Sequence, residues 1–338
     1  MKAITCQRPH HFAMTDMPMP DRAEGAALVR IRRIGICGTD LHAYRGNQPF
    51  FSYPRILGHE LAGEIVEIGD NDSELRQGQP VTIIPYLECG ECIACRSGKT
   101  NCCAKLSVLG VHEDGGMREF LAVPADHLLN ADGLTLDQAA VVECFGIGAH
   151  AVQRACIARG EFVLVIGAGP IGLGVMKFAK LAGAKVIALD INAERLRFCE
   201  SWVPADFTVN ANDDALRNVQ NITGGDFPTV VFDATGNVKS MEQAVRYTAY
   251  GGRLVYVGLV KADITFNDTE LHKRELSIIR SRNATRRDLE HVIDTMRDGR
   301  IDTGGFITHR VQFDQMIDAY DGWLRPDSGV IKAMVELE

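Results

Sequence analysis

The 338-residue chain lacks any run of about eighteen apolar residues, which argues against an ordinary membrane-spanning helix. Its opening stretch, Met1 to Met14, has no long apolar core. No signal peptide is therefore expected, and the expected compartment is the cytoplasm. Internal repeats and low-complexity linkers are also missing. Nor is there an excess of positive charge: 36 Lys and Arg stand against 44 Asp and Glu, a formal net charge of −8. That balance argues against nucleic acid or an anionic membrane as the main partner. In the absence of a secretion signal, the ten cysteines read as reduced thiols, metal ligands or small buried hydrophobes, not as a disulfide framework.

Four of those cysteines, Cys89, Cys92, Cys95 and Cys103, form the pattern C-x2-C-x2-C-x7-C. A tetrahedral cage needs four soft ligands about 2.3 Å from the ion, and two-residue turns bring sulfurs that close. Gly90 and Gly98 supply turn-forming backbone. Structural zinc is the expectation. An iron–sulfur cluster stays open as an alternative, although the bacterial ferredoxin spacing has a shorter last gap followed by proline.

The length suggests about two domains. The first 140 residues carry short apolar runs broken by Gly and Pro, among them Leu28–Ile34, Glu64–Ile68, Val81–Pro85 and Phe120–Val123. That pattern predicts an antiparallel β domain. From Glu161 the pattern becomes strand–helix alternation, with strands at Phe162–Ile166, Lys185–Asp190, Val230–Asp233 and Leu254–Val257. This predicts an α/β doubly wound parallel sheet. Leu289–Met296 reads as helix, and Ala333–Leu337 as a strand returning to the first domain.

Gly167-Ala-Gly169-Pro170-Ile171-Gly172 places G-x-G-x-x-G between the first of these strands and a helix. Gly167 permits the turn, Gly169 lets backbone approach a pyrophosphate, and Gly172 lets helix pack close to strand. Asp190, eighteen residues after Gly172, can hydrogen-bond both ribose hydroxyls and would repel a 2′-phosphate, which favours NAD. Arg195 can soften that preference. The bland alternative is a glycine turn with a capping Asp.

Three further segments hold metal-competent residues: Cys37-Gly-Thr39-Asp40-Leu-His42, Gly58-His59-Glu60-x-x-Gly63, and Val142-Glu143-Cys144. Singly, Cys37 reads as a buried thiol, His59 as a core imidazole and the glutamates as surface charge. In this order, with the cysteine lobe and the dinucleotide fingerprint, they resemble the zinc-dependent medium-chain dehydrogenase/reductase family, in its sorbitol dehydrogenase branch, over essentially the whole chain. The resemblance implies a GroES-like β-rich catalytic domain over 1–149 and 286–338. Its zinc lobe would span about 88–104, and a Rossmann NAD-binding domain would span 150–285. It implies two zinc ions per chain, one structural and one catalytic. Cys37 and His59 match catalytic ligands. Glu60 matches the carboxylate that binds or leaves the metal, and Glu143 falls at the third protein ligand; which glutamate completes the shell stays open, and the adjacent Cys144 adds to the ambiguity. Thr39 matches the hydroxyl placed against the substrate oxygen, with His42 as an outward proton relay or an exposed imidazole.

Gly46 to His59 and Ser281-Arg282-Asn283-Ala284-Thr285 resemble bacterial sugar-acid dehydrogenases, specifically the L-galactonate and L-gulonate 5-dehydrogenases. The implied reaction is oxidation of the C5 hydroxyl of a hexonate by NAD, giving D-tagaturonate or D-fructuronate. Arg282, with Asn283, is the candidate carboxylate partner; the other reading is a solvated arginine in the basic run Arg280 to Arg287. A polyol dehydrogenase of the sorbitol or galactitol type and a threonine-type dehydrogenase are the alternatives. Tyr44, Phe50 and Phe51 could wall the pocket or pack under their loop. His272 and Lys273 receive no role. A homotetramer or homodimer is the assembly the resemblance implies.

Overall fold

The structure is a computed structural model that describes residues 1–48, 51–72, 74–325 and 327–338. The chain forms two compact units, one from Met1–Glu143 with Thr285–Glu338, the other from Cys144–Ala284. The helix Leu136–Ala155 carries the chain from the first into the second.

In the first unit the strand Ala26–Ile36 is the hub. It pairs antiparallel with Glu60–Ile68, Phe120–Pro124 and Lys332–Glu336. Glu60–Ile68 pairs onward with Pro80–Ile83, and that strand with Leu128–Asn130. The strand pairings among the first 140 residues are antiparallel, as expected, and one edge built from later residues is parallel: Ile307–Gln312 runs parallel to Lys332–Glu336. The two strands are joined through the helix Met316–Trp323, and a helical crossover is what parallel neighbours require. Val29, Ile31, Ile34, Leu61, Ile65 and Val81 form the buried faces of this sheet. A smaller sheet of Lys2–Arg8, His11–Asp16 and Arg55–Ile56 covers part of the core.

An aromatic cluster fills the space beside the helix Gly38–Tyr44. The Phe12 ring stacks on Tyr44 at 4.8 Å and meets Tyr320 edge-on at 4.8 Å, and Trp323 lies 5.5 Å from Tyr320. Tyr44 is therefore a core residue, not a pocket wall, and Phe51 packs against Tyr53 and the same core. Phe50 lies outside the described residues.

The second unit is a six-stranded parallel sheet. Its order is Phe207–Asn210, Lys185–Asp190, Phe162–Ile166, Val230–Asp233, Arg253–Tyr256, Ser277–Arg280. Numbered within the unit, that is 3-2-1-4-5-6, the doubly wound dinucleotide order, whose binding crevice lies where the order reverses between strands 1 and 4. Leu164, Ile166, Ile187, Val231 and Leu254 are buried along it.

Tyr320 is fully buried, yet its hydroxyl has no hydrogen-bond partner among the described residues. Tyr320→Phe is expected to hold or raise the melting temperature, because it removes an unsatisfied buried group. Tyr320→Ala should cost about 3–5 kcal/mol in urea unfolding. A clear loss of stability in Tyr320→Phe would contradict this account.

Candidate active site and metal centres

Cys37, His59 and Glu60 come together in the first unit, with one ligand atom from each within 4.8 Å of the others. Cys37 is the N-cap of the helix Gly38–Tyr44, and His59 and Glu60 lie at the entry to the strand Glu60–Ile68. A cation about 2.0–2.3 Å from each donor fits among them, and a thiolate, an imidazole and a carboxylate are donors that zinc accepts.

Asp40 ties the two ligand segments together. Its Oδ2 accepts the Cys37 N–H at 2.9 Å, which closes a capping box, and its Oδ1 accepts the Gly58 N–H at 3.2 Å. The same Oδ1 lies 3.6 Å from His59 Nδ1, within ion-pair reach but too far for a hydrogen bond. A carboxylate behind a ligating histidine fixes the ring's orientation. Burial raises the Asp40 carboxyl above its ordinary value. Burial acts to lower His59, but the charges of Asp40, Cys37 and Glu143 outweigh it and hold the imidazole well above its ordinary value. The pocket thus carries a surplus of negative charge, which a divalent cation satisfies.

Lys332 supplies the opposing charge. Its Nζ lies 2.6 Å from Glu60 Oε1 and 2.7 Å from Oε2, and donates to Ile36 O at 3.2 Å. Both side chains are buried, with Lys332 at 1% and Glu60 at 0% exposure. Gly35 makes room for the pair: a Cβ there would collide with the Glu60 carboxylate. Glu143 lies at the end of the first unit, outside the tight triad, and accepts the Tyr86 hydroxyl at Oε1. Burial raises its carboxyl; His59 opposes this and Glu60 adds to it. Cys144 is buried and begins the second unit.

Thr39 and His42 stand on the helix Gly38–Tyr44 with i,i+3 spacing, so they are neighbours on one face. His42 is exposed.

The four lobe cysteines also converge, with sulfurs within 4.8 Å of one another. Cys92 and Cys95 are 3.5 Å apart and Cys89 and Cys103 are 3.4 Å apart. The backbone N–H groups of Cys89 and Lys105 each point at Cys103 Sγ at 3.3 Å. Hydrogen bonds from the Ala104 and Cys95 backbone hold the Cys92 thiol down at about 6, while desolvation and its contact with Cys92 push Cys95 up to about 12. Four thiolates at this spacing need a cation to coexist, and the donor set fits zinc. The lobe's helix Ile93–Arg96 has no buried residue, so little else holds it.

In the second unit Gly167 (φ +99°) closes the turn against Thr235, and a Cβ at Gly172 would collide with Gly167 O. A Cβ at Gly169 would meet only Arg195 Nη1, at 3.9 Å, so the face above Gly169 is open. Gly169 caps the helix Pro170–Leu181 without a side-chain hydrogen bond and Pro170 stands at its start, which leaves the helix N-terminus for an anion. Asp190 accepts the Ala168 N–H at 2.6 Å and the Asn192 N–H at 2.8 Å. These bonds hold the carboxylate at the strand end, beside the glycine turn. This arrangement fits a dinucleotide. Arg282 is exposed and Asn283 has φ +51°; both follow the strand Ser277–Arg280. They belong to the second unit, whereas Cys37, His59 and Glu60 belong to the first. His272 and Lys273 are exposed in the last turn of the helix Asp268–Arg274.

Sequence reasoning missed three supports. Asp40 carried a local signal, the capping-box spacing three residues after Cys37. Lys332 carried a weaker one: a lone charge within the apolar run Val330 to Val335 has to find a buried partner. Tyr86 carried none.

Comparison with known proteins follows the same division. Residues 23–133 match the alcohol dehydrogenase GroES-like domain, and residues 170–298 match the zinc-binding dehydrogenase domain. L-galactonate-5-dehydrogenase of Escherichia coli K12 is 43% identical over 335 residues, covering 99% of this chain and 98% of that one. Among solved structures, the NADH complex of the rspB alcohol dehydrogenase of Escherichia coli CFT073 has a TM-score of 0.93 at 31% identity, covering 100% and 99% of the two chains. Galactitol-1-phosphate dehydrogenase of Escherichia coli has a TM-score of 0.92 at 26% identity, covering 100% of both.

Lys332→Met should destabilise the fold by about 3–5 kcal/mol in urea, because Glu60 is left as an unpaired buried charge. Cys92→Ser should lower the zinc content by one ion per chain while the nucleotide unit keeps its affinity for NADH. Unchanged zinc in that variant would remove the lobe as a metal site.

Proposed function

The chain belongs to the zinc-binding dehydrogenase family, and we propose that it is an NAD-dependent dehydrogenase of a sugar acid. The proposed reaction takes a hydride from the C5 secondary alcohol of L-galactonate or L-gulonate. The observation that carries the chemistry is the Cys37–His59–Glu60 triad, a three-donor set that leaves a position open to substrate. The 43% identity to an L-galactonate-5-dehydrogenase supports the substrate class.

When bound at these sites, zinc supplies a Lewis acid for the substrate oxygen and NAD supplies the hydride acceptor. The protein's own groups do the rest. Asp40 orients His59, and Lys332 holds Glu60 in place. Thr39 takes the hydroxyl proton of the substrate, and His42, its neighbour on the exposed helix face, passes that proton to water. Gly167, Gly169, Pro170, Ile171 and Gly172 seat the pyrophosphate, Asp190 receives the ribose hydroxyls, and Arg195 borders the seat. Either Glu60 or Glu143 is the third protein donor beside Cys37 and His59, and Arg282 with Asn283 receives the hexonate carboxylate. Cys89, Cys92, Cys95 and Cys103 hold the structural zinc. The reading includes a homotetramer or homodimer in the cytoplasm; no described helix is long and apolar enough to cross a membrane.

NADH formation at 340 nm separates the readings across L-gulonate, L-galactonate, sorbitol, galactitol and threonine. Selective turnover of a hexonate, abolished by a zinc chelator, is expected. Turnover of polyols alone would move the protein to the polyol class suggested by the galactitol-1-phosphate dehydrogenase fold. Arg282→Ala should raise KM for the hexonate about tenfold or more with little change in kcat, as loss of a charged hydrogen bond of about 1.5–3 kcal/mol predicts; an unchanged KM removes Arg282 from the site. Asp190→Ser should raise KM for NAD by about 10- to 100-fold on the same basis and narrow the gap to NADP.

A further inference from the structure

The two glutamates of the metal pocket are held by different means. Both oxygens of Glu60 are engaged by the Lys332 ammonium at 2.6 and 2.7 Å. Glu143 has a single hydrogen-bond donor among the described residues, the neutral phenol of Tyr86, which reaches Oε1. Tyr86 and Glu143 are each only 4% exposed. Water is therefore not a ready substitute for the phenol, and a buried carboxylate without its donor carries the full desolvation cost. Tyr86 lies in the short strand Tyr86–Leu87, three residues before Cys89, and pairs with Val108.

We infer that Tyr86 is the positioning residue for Glu143: its hydroxyl fixes Oε1 and leaves Oε2 as the atom of Glu143 that faces a bound catalytic zinc ion. This rests on the zinc dehydrogenase reading given above. A neutral donor suits the task, since it orients the carboxylate without cancelling its charge, whereas the ammonium on Glu60 cancels the charge it holds. Ligating carboxylates are themselves hydrogen-bonded, and loss of such a partner typically weakens metal affinity by roughly 10–100-fold.

Tyr86→Phe removes the hydroxyl and keeps the ring, and Glu143→Gln removes the charge that the hydroxyl orients. Zinc release to 1,10-phenanthroline and the visible spectrum of protein with cobalt exchanged into the catalytic site are the readouts. The expected result is release from the catalytic site about 10–100-fold more readily in Tyr86→Phe, with the structural zinc retained and the cobalt bands shifted. The double variant should release zinc no more readily than Glu143→Gln alone, because the hydroxyl acts through that carboxylate. Wild-type release and spectrum in Tyr86→Phe, or additive effects in the double variant, overturn the inference. Wild-type protein that holds only the lobe zinc sinks the zinc dehydrogenase reading together with it, an outcome that the metal count distinguishes from the other two.

Discussion

The buried pair of Lys332 and Glu60 is the constraint around which the first unit is arranged. Removing two such charges from water costs several kcal/mol per ion, and only close geometry with further hydrogen bonds offsets that. Here the ammonium meets both carboxylate oxygens and the Ile36 carbonyl, three contacts for its three N–H donors. The pair also fixes register. Lys332, Ile36 and Glu60 stand on three adjacent strands, and a slip of one residue in any of them would turn a side chain to the opposite face. Gly35 belongs to the same arrangement, since no side chain fits between its strand and the Glu60 carboxylate.

From that fixed sheet the remaining supports reach outward. Asp40 joins the Cys37 turn to the Gly58–His59 segment, so two candidate donors carried by separate segments are held together. Tyr86 reaches Glu143 from a strand beside the zinc lobe. Glu60 and Glu143 are thus each held by a polar group on an element other than their own, while Cys37 is held within the helix it caps, which gives a site the rigidity that loops alone do not supply.

What was legible in the sequence is what depends on short spacing. The four cysteines fall within fifteen residues, and the glycine turn within six, so local chemistry names both. The four central strands of the second unit were readable because buried parallel strands are continuous apolar runs, whereas the edge strands Phe207–Asn210 and Ser277–Arg280, which are largely unburied, were not. The supports were not, because their partners are remote: Lys332 is 272 residues from Glu60, and Tyr86 is 57 from Glu143. No local pattern encodes such a pairing. Tyr44 shows a choice that spacing could not make. Its sequence position allowed a pocket wall or packing under the loop, and the ring packs, stacked on Phe12. The parallel edge of the first sheet was hidden for the same reason, as its strands are chosen by a helical crossover and not by composition.

The first unit is discontinuous, built from Met1–Glu143 and Thr285–Glu338 with the whole of the second between them. A ribosome therefore delivers Glu60 and Glu143 long before it delivers Lys332. Through that interval the nascent pocket owns its anions but not its ammonium, and burying them would cost more than the half-made sheet returns. The pocket can therefore close only after the strand that carries Lys332 has joined the sheet.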